Sequence, residues 1–159
     1  MRHLFWVIFS LFLLGACNQA DTPQANNHAT SAEPVATINK LQDGTYCFTK
    51  LYNKDVTDVQ LTILGSAVTG TMNWIPYQKD SARGTLQGFK NATGELELMY
   101  DYMIEGSQKT ETKVMKIEDG KLLIKVGELQ DLKYNGNLTF KDVRLAKYSE
   151  VLEKVDCKN

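Results

Sequence analysis

The feature that most constrains the fold is an alternation of apolar and polar side chains with a period of two. From Glu95 to Ile104, one side of the pattern is apolar or aromatic, whereas Glu95, Glu97 and Asp101 fall on the other side. This alternation is typical of an antiparallel strand with one buried face. Similar stretches predict seven strands: Thr45–Leu51, Val56–Leu64, Ala67–Ile75, Ala82–Lys90, Gly94–Ile104, Lys109–Glu118 and Lys121–Gly127.

Short connections between these strands predict antiparallel neighbours. The tight connections at 65–66, 91–93 and 119–120 alternate with longer, polar ones at 52–55, 76–81 and 105–108. In an up-and-down meander, alternate connections lie at the same end. We therefore expect an all-β, antiparallel up-and-down barrel of about eight strands, with one closed end and one open mouth. Gly84 and Gly88 share a face of one strand, which predicts bends or close backbone approach in a small curved barrel.

The N-terminus predicts export. Arg2 precedes an apolar run, Leu4–Leu14, which fits a secretory signal and is shorter than the roughly 20 residues needed to span a bilayer. Leu14-Gly15-Ala16-Cys17 resembles the lipobox of bacterial lipoproteins. The resemblance implies a signal peptide at 1–16, lipid attachment at Cys17 and a membrane-anchored mature chain. An ordinary cleaved signal with a nearby Cys is the alternative.

The same resemblance indicates where the anchored protein resides. Asn18 follows Cys17 where inner-membrane lipoproteins carry Asp, which favours the outer membrane of a Gram-negative cell, facing the periplasm, with exposure at the cell surface left open. Residues 17–40 hold two of the three prolines and almost no large apolar residue, so we expect a disordered tether. The folded domain is expected from Leu41 to Asn159.

Two cysteines, Cys47 and Cys157, remain for the domain. In an exported, oxidising compartment a disulfide between them is expected, and two buried free thiols are the alternative. A last strand near Val151–Cys157 would bring Cys157 back to the closed end beside Cys47.

Between the seventh predicted strand and this last one, residues 134–137 predict a hairpin with arms Leu132–Tyr134 and Asn137–Phe140. A short helical turn around Val143–Lys147 is expected to follow it.

The domain lacks the residues of several kinds of chemistry. The two histidines of the chain, His3 and His28, precede the domain. Ser-His, Cys-His and His-metal arrangements are therefore not expected within it, and neither is a cofactor or a metal. With 18 basic and 19 acidic residues and no basic stripe, a nucleic acid partner is not expected. A carboxylate pair, Glu105 and Glu111, is a remote enzymatic alternative.

Aromatic and charged residues at the predicted mouth form the candidate ligand site. Aromatic bodies with polar tips suit a partly apolar ligand. The alternative is that the aromatic side chains fill the barrel, because eight strands leave just enough room for side chains. The candidate residues are Trp74, Tyr77, Lys79, Asp80, Tyr100, Tyr102 and Glu105.

The domain looks like the lipocalin or calycin-like barrels of small envelope lipoproteins, and the segment from Tyr100 to Gly106 resembles uncharacterised Gram-negative members. This resemblance is architectural and implies no activity; the aromatic mouth is the reason that we expect a module that binds or senses a small molecule. A protein-interaction module, such as an inhibitor of an envelope enzyme or a structural accessory lipoprotein, is the alternative. Periplasmic lysozyme inhibitors are similar in size and disulfide use, but their Ser/Gly-rich inhibitory loop is not evident here.

Overall fold

The computed structural model describes residues 41–158, which contain strands and turns and no helix. The signal peptide, the lipidation site Cys17 and the tether, predicted within 1–40, lie outside the described residues. The ten strands are β1 Gly44–Tyr52, β2 Asp55–Leu64, β3 Ala67–Ile75, β4 Ala82–Lys90, β5 Leu96–Ile104, β6 Ser107–Glu118, β7 Lys121–Val126, β8 Leu129–Gln130, β9 Asn137–Phe140 and β10 Lys147–Val155.

Eight of these strands close into an antiparallel barrel. Strands β1 to β7 pair in sequence order, and β10 completes the wall by pairing with both β7 and β1. Closure pairs every wall strand with a neighbour on each side over at least part of its length, which limits the exposed sheet edge. The predicted all-β, up-and-down barrel of eight strands is therefore confirmed.

The predicted difference between a closed end and a mouth is wrong. The register places Tyr52 opposite Asp55 and Ile104 opposite Ser107, so these two mouth connections are two-residue turns, as are 65–66 and 119–120 at the other end. Longer connections occur at both ends: 91–95 at one end, and 76–81 together with the β7–β10 segment 127–146 at the other. Asn53 and Glu105 adopt positive φ values of 56° and 51°, which permits tight two-residue turns. The polar composition of these two connections had predicted longer loops.

The two ends are named here by the course of the chain. The proximal end carries Leu41, where the described chain begins, and the turns at 65–66, 91–95 and 119–120. The distal end carries the turns at 53–54 and 105–106 and the loop at 76–81. The disulfide between Cys47 and Cys157 is confirmed, with Cα atoms 5.2 Å apart. As expected, it links the first strand to the end of the last on the proximal side, where Cys47 lies opposite Val155. The last strand, predicted near Val151–Cys157, begins earlier and ends at Val155, so Cys157 follows it by two residues.

The predicted helical turn at 143–147 is wrong. Asp142 begins a hydrogen-bonded turn, in which the Leu145 N–H donates to the Asp142 carbonyl at 3.2 Å, and β10 starts directly afterwards. A register shift lies between Tyr148 and Glu150, which is a β-bulge. The apolar residues of this segment do not share one buried face: Leu152 is buried, whereas Leu145 and Val155 are exposed, and their helix-like spacing is therefore misleading.

The predicted hairpin at 134–137 exists with a different first arm. Strand β9 has the predicted bounds, but it pairs with β8 at Leu129–Gln130 instead of Leu132–Tyr134. The connection is therefore a six-residue loop, 131–136. Strand β9 also pairs in parallel with the first half of β6, so this hairpin lies outside the eight-strand order of the barrel wall.

Sixteen buried residues form one core inside the barrel. Inward-facing glycines allow the strands to approach each other closely: a Cβ added to Gly84 would lie 2.0 Å from the carbonyl oxygen of Asp101, and one added to Gly88 would lie 2.0 Å from that of Glu97. The predicted close backbone approach is thus confirmed. Because the core occupies the barrel, any functional surface has to be sought in the polar part of the lumen, at the ends or on the outer wall.

Candidate functional site

Tyr100 and Tyr102 lie inside the barrel as members of its core. Their rings stack with centroids 4.5 Å apart, and the Tyr100 hydroxyl donates a hydrogen bond to the Met72 carbonyl oxygen at 2.9 Å. Burial raises the pKa of both phenols, and the nearby Glu111 carboxylate adds to the increase. These two tyrosines are buried and partnered within the protein, so they fill the barrel instead of lining an open mouth.

Two ion pairs accompany the tyrosines in the distal half of the barrel. Lys113 Nζ lies 2.6 Å from the Glu111 carboxylate and 5.9 Å from the centre of the Tyr100 ring. Lys50 and Glu150 form a looser pair at 3.5 Å. Glu111 is thus neutralised by Lys113, and it lies four positions along β6 from Ser107, about 13 Å from the turn that carries Glu105. The two glutamates do not form the carboxylate pair that acid–base catalysis requires.

The other candidate residues lie at the distal end. Trp74 is 39% exposed and Tyr77 is 49% exposed, while Lys79, Asp80 and Glu105 are exposed. The Tyr77 N–H donates to the Asp55 carboxylate at 2.8 Å, and Lys54 Nζ lies 4.2 Å from the centre of the Tyr77 ring. These contacts connect the 76–81 loop to the β1–β2 turn. The loop therefore presents its aromatic ring from a supported position.

Exposed aromatic side chains concentrate at the distal end. Among residues 41–158, five aromatic side chains are exposed: Tyr52, Trp74, Tyr77, Phe89 and Tyr134. Only Phe89 belongs to the proximal end, where it lies opposite Ala67 beside the 65–66 turn. Large exposed apolar side chains gathered in one region mark interaction surfaces, and Trp and Tyr are frequent binding hot spots.

The 131–136 loop adds a protruding element to this end. Its position follows from β9, which begins beside Thr110 near the distal start of β6; there the Thr110 N–H donates to the Gly136 carbonyl. Tyr134 is 95% exposed and Leu132 is 73% exposed. The Asp131 carboxylate accepts hydrogen bonds from the backbone N–H groups of Lys133, Asn135 and Gly136, at 3.2, 3.2 and 2.7 Å. These bonds lower the pKa of Asp131 and stabilise the observed conformation of the loop.

Sequence reasoning placed Tyr52, Trp74 and Tyr77 at this end but missed Leu132 and Tyr134. Tyr134 was taken as part of a hairpin arm, where a Tyr is ordinary. The available signal was the cluster of turn-forming residues from Asp131 to Asn137, since Asp and Asn side chains commonly accept backbone hydrogen bonds in loops. What the sequence lacked was the pairing of β9 with β6, which places the loop at the distal end.

A polar cluster also crosses the outer wall between β6, β7 and β10. Glu95 accepts a hydrogen bond from the Tyr148 hydroxyl and pairs with Lys125 at 2.6 Å. Lys125 and Lys116 lie 5.1 and 4.9 Å from the centre of the Tyr148 ring. Lys125 and Tyr148 lower the pKa of the Glu95 carboxyl, whereas burial and Glu95 raise that of Tyr148. This arrangement ties the β4–β5 connection to the closing strand.

Comparison with protein-family models, with curated proteins and with solved structures finds no match to this chain. Within residues 41–158, no helix is long and apolar enough to cross a membrane. Over the same range, no group of three His, Cys, Asp or Glu side chains is arranged to hold a metal ion. The class of protein that the structure itself defines is a closed, eight-stranded antiparallel barrel with a filled core and an aromatic distal end.

Proposed function

We propose that this protein is a lipid-anchored lipoprotein of the bacterial envelope whose barrel binds another envelope protein through its distal end. The observation that carries the proposal is the concentration of exposed aromatic residues at that end: Tyr52, Trp74, Tyr77 and Tyr134. Aromatic side chains supply much of the binding energy of protein interfaces at low cost in conformational entropy.

The position of the chain start supports this orientation. Leu41 lies at the proximal end, where Lys90 Nζ donates to its carbonyl oxygen at 2.8 Å. Strands of nine residues, tilted as they are in barrels, separate the two ends by roughly 20–25 Å. If Cys17 carries lipid, the tether joins the barrel at the end away from the aromatic residues. The distal end is then free to meet a partner.

Local order at the distal end supports protein binding as well. Asp131 holds the loop that carries Tyr134, and Asp55 with Lys54 supports Tyr77. A surface that is already ordered loses little entropy on association, which favours affinity. A ligand module of the kind expected from the sequence would bind inside the barrel mouth, and the sixteen core residues occupy the barrel interior. Protein binding is therefore the better supported of the two functions considered from the sequence.

Site-specific photocrosslinking in intact cells tests this proposal. A photoreactive amino acid is placed at Tyr77, at Tyr134 and, as the matched control, at Phe89, which is similarly exposed at the opposite end. We expect the same discrete protein adduct from both distal positions and none from the control. Absence of an adduct at Tyr77 and Tyr134, or equal labelling at Phe89, would contradict binding through the distal end.

Three further measurements test partner binding, lipid attachment and the ligand-binding alternative separately. With the partner identified, Tyr134→Ala is expected to weaken binding about 30-fold, as for a central aromatic hot spot. Radioactive fatty acid should label the wild-type chain and not Cys17→Ala. Native mass spectrometry of the purified protein addresses the other function, since a small molecule that consistently co-purifies would favour the ligand module.

A further inference from the structure

The barrel wall is split between β6 and β7. These two strands pair only from Met115–Ile124 to Glu118–Lys121, and the first half of β6 pairs with β9 instead. Val114 faces outward, because Met115 beside it points into the core, yet Val114 is only 4% exposed. The segment that contains β9 and the following turn covers this position. The split thus creates a sheltered region on the outer wall.

A groove of about 310 Å³ lies in this sheltered region. Its apolar lining comes from Val114, Phe140 and Val143, and its charged lining comes from Glu95, Glu97 and Lys125. The volume is at the small end of the range for small-molecule sites, about 300–1,000 Å³. An apolar lining with a few charged groups is the usual composition of such sites.

The charges of the groove do not balance. Glu95 pairs with Lys125 at 2.6 Å. Glu97 accepts one hydrogen bond, from the Asn91 side-chain amide at 3.3 Å. Among residues 41–158, none of the ion pairs within 4 Å includes Glu97. The groove therefore keeps one net negative charge beside an apolar surface.

We propose that this groove binds a small organic amine with one positive charge and an aryl or alkyl body. The ammonium group would pair with Glu97, and the body would lie against Val114, Phe140 and Val143. Charge complementarity selects this ligand class: an anion would be repelled by Glu97, and a neutral molecule would gain only the apolar contact. This site is on the outer wall, so it is independent of partner binding at the distal end.

Methyl NMR titration of the full chain in nonionic detergent provides the test, with phenethylammonium as the probe. The neutral 2-phenylethanol and the anionic 3-phenylpropionate have nearly the same body and serve as matched ligands. We expect saturable shifts at the Val114 and Val143 methyl groups with a Kd on the order of 1 mM for the amine, and weaker binding of the other two. Equal shifts with all three molecules, or no saturable shift up to about 10 mM amine, would overturn the proposal.

Two variants with the same change in net charge sharpen the result. Glu97→Gln keeps an oxygen for the Asn91 hydrogen bond and is expected to weaken amine binding about fivefold, as for a partly exposed ion pair. Glu105→Gln removes a carboxylate at the distal turn and should leave the affinity unchanged. Unaltered binding in Glu97→Gln, or an equal loss in both variants, would show that this carboxylate does not select the ligand.

Discussion

Removal of the disulfide should lower the stability of the barrel strongly, because the crosslink joins nearly the two ends of the folded domain. Cys47 and Cys157 are 110 residues apart in sequence. In the chain-entropy model, closing a loop of this length in the unfolded chain lowers its entropy enough to stabilise the folded state by about 4.8 kcal/mol at 25 °C. For a domain of this size, that corresponds to a decrease in Tm of roughly 15–20 °C.

The assay is reversible urea unfolding of three samples: the oxidised protein, the same protein reduced with a thiol, and the double variant Cys47→Ala/Cys157→Ala. Alanine is preferred to serine at position 47 because Cys47 is 8% exposed and a buried hydroxyl would add its own cost. The reduced and double-variant samples should have similar midpoints, both well below that of the oxidised protein. Their m-values should be larger, since an uncrosslinked unfolded chain exposes more surface.

Backbone pairing between β1 and β10 could hold the barrel closed without the disulfide. β1 and β10 also pair through backbone hydrogen bonds, so the barrel is expected to stay closed and to keep its circular dichroism spectrum after reduction. If the free energy of unfolding changes by less than about 1 kcal/mol on reduction, the crosslink does not act by restricting the unfolded chain, and the reasoning is refuted.

Three other variants, with Gly65→Ala as a control, test the core and the charged cluster. Gly84→Ala should cost about 3 kcal/mol or more in urea unfolding, because the new Cβ would lie 2.0 Å from the Asp101 carbonyl oxygen; Gly65→Ala, with open space around it, should lose only about 1–2 kcal/mol to its left-handed backbone. The pKa of Glu95 is lower in the folded state than in the unfolded chain, so its stabilisation is present above about pH 4.5 and disappears as the pH falls through the folded-state pKa. Glu95→Gln should therefore lose about 1–2 kcal/mol at pH 7 and less at pH 3, and equal losses at both would contradict this assignment. Since burial raises the pKa of Tyr100, folding stability should fall as the pH rises above about 10, and urea midpoints at pH 9 and 11 should differ less in Tyr100→Phe than in the wild type.

The barrel itself was predictable because its determinants are local. Strands β3 and β4 have the predicted bounds, and the alternation in β5 correctly identified the buried face that includes Tyr100 and Tyr102. Gly84 and Gly88 also signalled close strand contact before any pairing was known. Each of these features depends on side-chain alternation or on the absence of a Cβ, both of which can be read within a few neighbouring residues.

The candidate site was predictable only in part. Trp74 and Tyr77 were correctly placed at one end, but the open mouth assigned to them does not follow from the structure, in which the turns at both ends are short. Composition indicates that a connection is polar; it does not determine how many residues continue the strand ladder. Where Asn53 and Glu105 adopt positive φ values, the ladder extends up to a two-residue turn.

Sequence by itself determined that this chain would form antiparallel strands around one apolar core, and that a disulfide would link the beginning of the domain to its end. Tertiary structure alone decided that β9 would pair with β6, that Val114 would be covered on the outer wall, and that Tyr134 would stand at the distal end. The physical reason is sequence distance. Alternation is imposed by neighbours along the strand, whereas the position of β9 depends on its pairing with Thr110 and Glu111 of β6, which lie 27 positions earlier in the chain.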